Sequence, residues 1–239
     1  MKRIALLIGN SNGLSGVKKD IARWKQFLES DYGGRWIDDE IIISMNLEKY
    51  SLLLTINRIK ANRPDFAIVV FSGHGAYQKD TILEINENKE VINEDDLIGI
   101  ASRQISVFDC CRNMLIENLS ESHKSMGMFS NGGSFKRNIR PYYEARIMSA
   151  IEQQVRLYAC SVNESALDTG DGGLYTTNLL KCSSDIPNNY KLVGVAHEEA
   201  RERTERDAIL RKHTQNPDSI LPRCLSSKQL IIAINPNNF

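Results

Sequence analysis

No part of this sequence is apolar for long enough to cross a bilayer. The longest apolar runs, Ile4–Ile8 and Phe66–Phe71, are strand-sized and far short of the ~20 residues a spanning helix needs. Lys2 and Arg3 precede the first run, but it ends at Gly9, too early for a secretory signal. Net charge is missing too. Thirty basic residues balance thirty acidic ones, so no global field draws the chain to nucleic acid or to an anionic membrane. The five cysteines form no Cys-x-x-Cys pair, and no histidine lies at zinc spacing from them. Their odd number fits free thiols in a reducing compartment better than a disulfide framework, and the expected setting is the cytoplasm. Internal repeats and low-complexity blocks are absent. Gly9-Asn-Ser-Asn-Gly13 with Gly16 matches neither Gly-x-Gly-x-x-Gly nor a P-loop, which argues against a doubly wound nucleotide-binding domain.

What remains is an alternation of strand-like and helix-like segments. The 239 residues, 41% hydrophobic and 25% charged, suit a globular chain of one large domain or two small ones. Strands are expected at Arg3–Ile8, Glu40–Met45, Phe66–Ser72, Gln104–Asp109, Val155–Ser161 and Leu230–Ile234. Helices are expected from Val17 to Leu28, where Val17, Ile21, Trp24 and Leu28 share a face, and from Tyr50 to Asn62. Short helices follow at Glu94–Ala101 and Gly173–Leu180, and a highly charged one at Glu198–Lys212. Thr81–Asn86 and Glu90–Asn93 read as a surface hairpin. Residues 113–146 are polar and rich in Gly, Ser and Asn, and are expected to form a long loop. The pattern predicts an α/β sheet with helices on both faces.

Two segments carry the chemistry. Phe71-Ser-Gly-His-Gly75 and Phe108-Asp-Cys-Cys-Arg112 each close a strand-forming run. They place His74 and Cys111 just past the carboxyl ends of buried parallel strands, the edge where α/β sheets bind ligands. A thiol and an imidazole delivered there suggest a cysteine nucleophile with a histidine base. Glycines on both sides of His74 leave the imidazole unobstructed. Cys110 should point away from Cys111 and be packed. Cys160, Cys182 and Cys224 read as buried small residues. Trp24 belongs to a helix core face and Trp36 to a turn, while His197 and His213 have no partner evident in the sequence.

These two segments resemble the His and Cys motifs of the caspase-like cysteine peptidases, and the metacaspase-like bacterial branch fits best. The likeness extends over most of the chain, through Ala5-Leu-Leu-Ile-Gly-Asn10, Leu14-Ser-Gly-Val-Lys-Lys-Asp20, Tyr158-Ala-Cys-Ser161, Gly172-Gly-Leu-Tyr-Thr176 and Gln215-Asn-Pro217. The resemblance implies a caspase-hemoglobinase fold over residues 1–239. It would be a single domain with a central, mostly parallel sheet of about six strands sandwiched by helices. The loop at 113–146 would separate a large from a small segment. The implied activity is that of an endopeptidase with a Cys111/His74 dyad, and the amides of Gly75 and Cys111 would form the oxyanion hole.

Metacaspase-like members are similar in carrying acidic groups in the pocket for the residue before the scissile bond. The matching positions are Asp20 and Asp109, with Ser72 beside them, which implies a preference for Arg or Lys. The same residues have a second reading: Asp20 as a solvated helix residue and Asp109 as a cap. Lys136, Arg137 and Arg140 lie in the long loop, where such an enzyme could cut itself. The alternative is an ordinary mobile surface loop. Asp95 and Asp96 stand where calcium-dependent metacaspases carry paired acids, but two carboxylates fall short of calcium's six to eight oxygens. No cofactor and no metal site is expected. The expected partner is a protein substrate, with no nucleic acid and no membrane, and bacterial relatives suggest a cell-death or antiviral defence effector. Nothing in the sequence fixes an oligomeric state. An inactive scaffold is the rival reading, favoured by Arg112-Asn113, where many metacaspases have His-Ser-Gly, and by Val17, where they often carry a second cysteine.

Overall fold

The computed structural model describes residues 1–114 and 138–239. In chain order these form β1 (Arg3–Gly9), α1 (Val17–Glu29), β2 (Ile41–Met45), α2 (Lys49–Ala61) and β3 (Phe66–Ser72). Three short strands follow, β4 (Gly75–Tyr77), β5 (Thr81–Glu84) and β6 (Val91–Asn93), then β7 (Arg103–Asp109). The second part holds α3 (Arg140–Ser149), β8 (Gln153–Tyr158), α4 (Leu174–Ser184), β9 (Tyr190–Leu192), α5 (Val193–Leu210), β10 (Asp218–Ile220) and β11 (Ile231–Ile234).

Six strands make the central sheet in the order β10-β8-β7-β3-β1-β2, all parallel except β10. Every residue of β3 is buried, as expected of a central parallel strand covered on both faces. Alternate side chains feed two cores. Leu7, Ile68 and Val107 pack with Trp24 and Leu28 of α1, Tyr143 of α3, Tyr175 of α4 and Ala196 of α5. Leu6, Val69, Phe71 and Phe108 pack with Leu52 and Ile56 of α2 and with Leu83 of β5. This is the expected α/β caspase-hemoglobinase architecture.

The structure departs from the sequence reading in several places. Leu230–Ile234 does not close the central sheet: β11 pairs with β9 in a separate two-stranded sheet. The sixth strand is β10, three residues whose exposed, polar pattern carries no strand signal. The end of the expected 113–146 loop is helix α3, whose Tyr143 and Ile147, with Ile139 just before it, are buried at four-residue spacing beneath a polar composition. The expected hairpin gains a third strand, β4, directly after His74. Glu94–Ala101 contributes only a 3-10 turn at Glu94–Leu97. Cys160 and Cys182 are buried as expected, whereas Cys224 is half-exposed. Trp36 is a core residue, with its indole N–H on Gly33 O and Arg3 stacked 4.6 Å from its ring.

Candidate active site

Strand register sets His74 and Cys111 at one level of the sheet edge. Gly9, Ser72 and Asp109 form one row across β1, β3 and β7. His74 and Cys111 each follow that row by two residues, so both leave the sheet at the same level. Gly73 N–H donates to Asp109 O at 3.2 Å, continuing the pairing beyond the strands. Gly75 then runs against the cysteine pair: a Cβ there would sit 2.6 Å from Cys110 Sγ and 2.9 Å from Cys111 O. The glycine after His74 is therefore demanded by packing.

His74 and Cys111 are each held by a main-chain carbonyl. His74 Nε2 lies 2.6 Å from Asn12 O. A carbonyl only accepts, so Nε2 is the ring nitrogen that donates here, which leaves Nδ1 for any other partner. Cys111 Sγ, half-buried, donates to Ala166 O at 3.8 Å. Burial pushes the Cys111 thiol above its ordinary value. Cys110 is 2% exposed, packs beside Phe108 and Tyr158, and is pushed up much further by burial. It is the packed member of the pair.

Arg112 fixes the chain after Cys111. Its guanidinium lies 4.0 Å from the Tyr158 ring centre and 5.3 Å from that of Tyr77. Nη1 reaches Cys160 O at 3.4 Å and Asp218 at 3.6 Å. The main chain of Arg112 also pairs with Glu164 O and Asn163 N. The residue that departs from the metacaspase pattern is thus a buried clamp on the loop carrying Cys111.

The acidic residues gather beside this edge. Asp20 is 1% exposed, so it is no solvated helix residue. Its carboxylate accepts Ser72 Oγ–H at 2.8 Å and Gly173 N–H at 3.0 Å to both oxygens. Asp109 accepts Thr176 N–H at 3.0 Å, which caps the first turn of α4 instead of its own following turn. Burial, then the nearby Asp109, push the Asp20 carboxyl up to about 8. Burial also raises Asp109, to about 6. Asp168 raises both. The sequence reading missed Asp168, which accepts Gly16 N–H at 3.0 Å and Gly170 N–H at 2.9 Å. Its only sequence signal was its place in a Gly/Asp-rich turn before α4.

Asp96 accepts Asn93 N–H at 3.0 Å and Asp95 faces Arg156 at 3.4 Å. Among the described residues no three His, Cys, Asp or Glu side chains converge to hold a metal. Arg140 is ion-paired with Glu40 and Glu144 at the start of α3, and Pro141 follows it. It is not presented as a cleavage site. Lys136 and Arg137 lie outside the described residues.

A family model described as the caspase domain matches residues 2–219, and the chain belongs to that family of cysteine peptidases. No curated protein matches it. Among solved structures it is similar to protein GSU0716 from Geobacter sulfurreducens, with 14% identity, a TM-score of 0.59, and coverage of 98% of this chain and 99% of that one. It is also similar to caspase-1 from Spodoptera frugiperda, with 10% identity, a TM-score of 0.60, and coverage of 92% and 86%. At such identities these likenesses establish the fold alone.

Proposed function

We propose that this protein is a cysteine endopeptidase that cuts protein substrates after Arg or Lys. The observation that carries the reading is the common row of Ser72 and Asp109, from which His74 and Cys111 both emerge beside buried carboxylates. His74 Nδ1 takes the Cys111 proton, and Sγ attacks the substrate carbonyl carbon. The amides of Gly75 and Cys111 receive the developing oxyanion, each donor being worth ~3 kcal/mol of barrier. The imidazolium then protonates the leaving amine, and water hydrolyses the thioester. Asn12 O accepts Nε2–H throughout and stabilises the imidazolium. Asp20, Asp109 and Ser72 would receive the substrate cation.

No helix among the described residues is long and apolar enough to cross a membrane, in keeping with a cytoplasmic enzyme. Self-processing between residues 113 and 146 and action on a cell-death or defence effector complete the reading. The effector rests on fold-level analogy. An inactive scaffold is the second reading, favoured by the absence of a hydrogen bond between Cys111 and His74 here. Incubation with a fluorogenic Arg-terminated peptide separates the two. Hydrolysis by the wild type, lost in Cys111→Ala and His74→Ala, supports the peptidase, and no hydrolysis by any of the three supports the scaffold.

A further inference from the structure

One segment touches both halves of the site. Ala166 O accepts the Cys111 thiol at 3.8 Å. Seven residues later, Gly173 N–H occupies both oxygens of Asp20. A side chain at Gly172, whose φ is +117°, would run into Asp20, and one at Gly173 would run into Asp109. Bare backbone is thus laid directly on the two carboxylates, and no guanidinium or ammonium can reach them while it stays there. Between these ends, the segment is strapped to α1. Asp168 accepts Gly16 N–H. Lys19 Nζ reaches Gly170 O at 2.8 Å and Asp171 Oδ1 at 2.6 Å. Arg23 Nη1 donates to Asp171 O and, at 3.0 Å, to Thr177 Oγ1.

We propose that residues 166–173 are a self-inhibiting strap, closed over nucleophile and cation pocket together and latched by Lys19 and Arg23. The proposal rests on the peptidase reading and names the regulation of that site. A single segment couples the two halves, so opening it frees the thiol and uncovers the acids in one movement. The latch is weak by design of its chemistry: Lys19 is 45% exposed, and such pairs are worth little in water. A substrate or partner that competes for Lys19 and Arg23 would release it.

The test is the rate at which iodoacetamide alkylates Cys111 in the full chain, read by peptide mass mapping alongside Cys110 and Cys160. Lys19→Asp sets like charges together, and Arg23→Gln removes the carbonyl contact. Each should alkylate Cys111 about tenfold faster, with Cys110 and Cys160 unchanged. Adding Asp171→Lys to Lys19→Asp should return the rate to within about threefold of wild type. Unchanged Cys111 rates, equal acceleration at all three cysteines, or failure of the charge swap to restore slow alkylation would each overturn the strap. Because alkylation needs no turnover, the two readings fail separately. Faster alkylation without peptide hydrolysis keeps the strap and removes the peptidase, whereas hydrolysis with an unaltered Cys111 rate keeps the peptidase and removes the strap.

Discussion

Ser72 and Asp109 stand opposite each other in the parallel register of β3 and β7, and both face the carboxylate of Asp20. That one pairing sets the level at which His74 and Cys111 leave the sheet and places the acids next to them.

The first prediction concerns pH. Asp20 is raised by burial and by Asp109, with Asp168 adding to both. Its folded pKa lies above the unfolded one, so between about pH 4 and pH 8 the folded chain keeps a proton that the unfolded chain has released. Stability therefore falls as pH rises through that window and the slope vanishes above it. Asp20→Asn removes this dependence. Its Tm should exceed that of the wild type at pH 8, on the order of 2 kcal/mol in stability, and the gap should close toward pH 4. Thermal unfolding at several pH values measures it, and parallel Tm–pH curves would refute the account.

The same substitution should harm function. Above about pH 8, where Asp20 is ionised, removing this pocket charge should lower kcat/KM for an Arg-terminated peptide roughly thirtyfold or more. A variant that gains stability and loses basic substrates separates a binding acid from a structural one. Unchanged kinetics would assign Asp20 to structure alone.

Gly75 is predicted to be intolerant for a packing reason. Gly75→Ala should cost about 1–3 kcal/mol, because the new methyl meets Cys110 Sγ. Trimming the neighbour in Gly75→Ala/Cys110→Ala should return only part of that loss, because the residue-110 Cβ at 2.8 Å and Cys111 O at 2.9 Å still meet the methyl. Urea melts of the four chains complete the cycle, and strictly additive effects would contradict the contact.

Arg112 is predicted to act through its plane as well as its charge. Arg112→Lys keeps the cation but loses the stack on Tyr158 and the reach to Cys160 O. It should lower stability by about 1–2 kcal/mol. A wild-type Tm in this variant would show that a cation there suffices.

Self-cleavage should spare the Arg140–Pro141 bond. Arg140 is held by Glu40 and Glu144, and proline follows it in the helix. N-terminal sequencing of any processed product should never begin at Pro141, and Arg140→Ala should leave the cleavage pattern unchanged. A product starting at Pro141 would contradict this.

Much of this molecule was legible without coordinates. Phe66–Phe71 announces itself as a covered strand because burial on both faces leaves a continuous apolar run, and Gln104–Asp109 does so through its strand-forming Ile105, Val107 and Phe108. The reactive residues sit at their ends, within a few positions along the chain. Short-range information of this kind also located α1, whose apolar positions recur every three or four residues. It failed for α3, where only Ile139, Tyr143 and Ile147 betray a buried face, and for β10, which is too short to show a period.

The chain alone thus determined which strands are central and that His74 and Cys111 stand just past the ends of two of them, since both follow from neighbours along the backbone. Only tertiary structure decided that Asp20, Asp109 and Asp168 share one desolvated cluster. It also decided that Asn12 O holds His74 and that Gly173 N–H covers Asp20. The reason is physical. Main-chain N–H and C=O groups are the same at nearly every residue, so composition cannot say which one will meet a given carboxylate or imidazole. Desolvation, likewise, is fixed by everything packed around a group and not by what precedes or follows it.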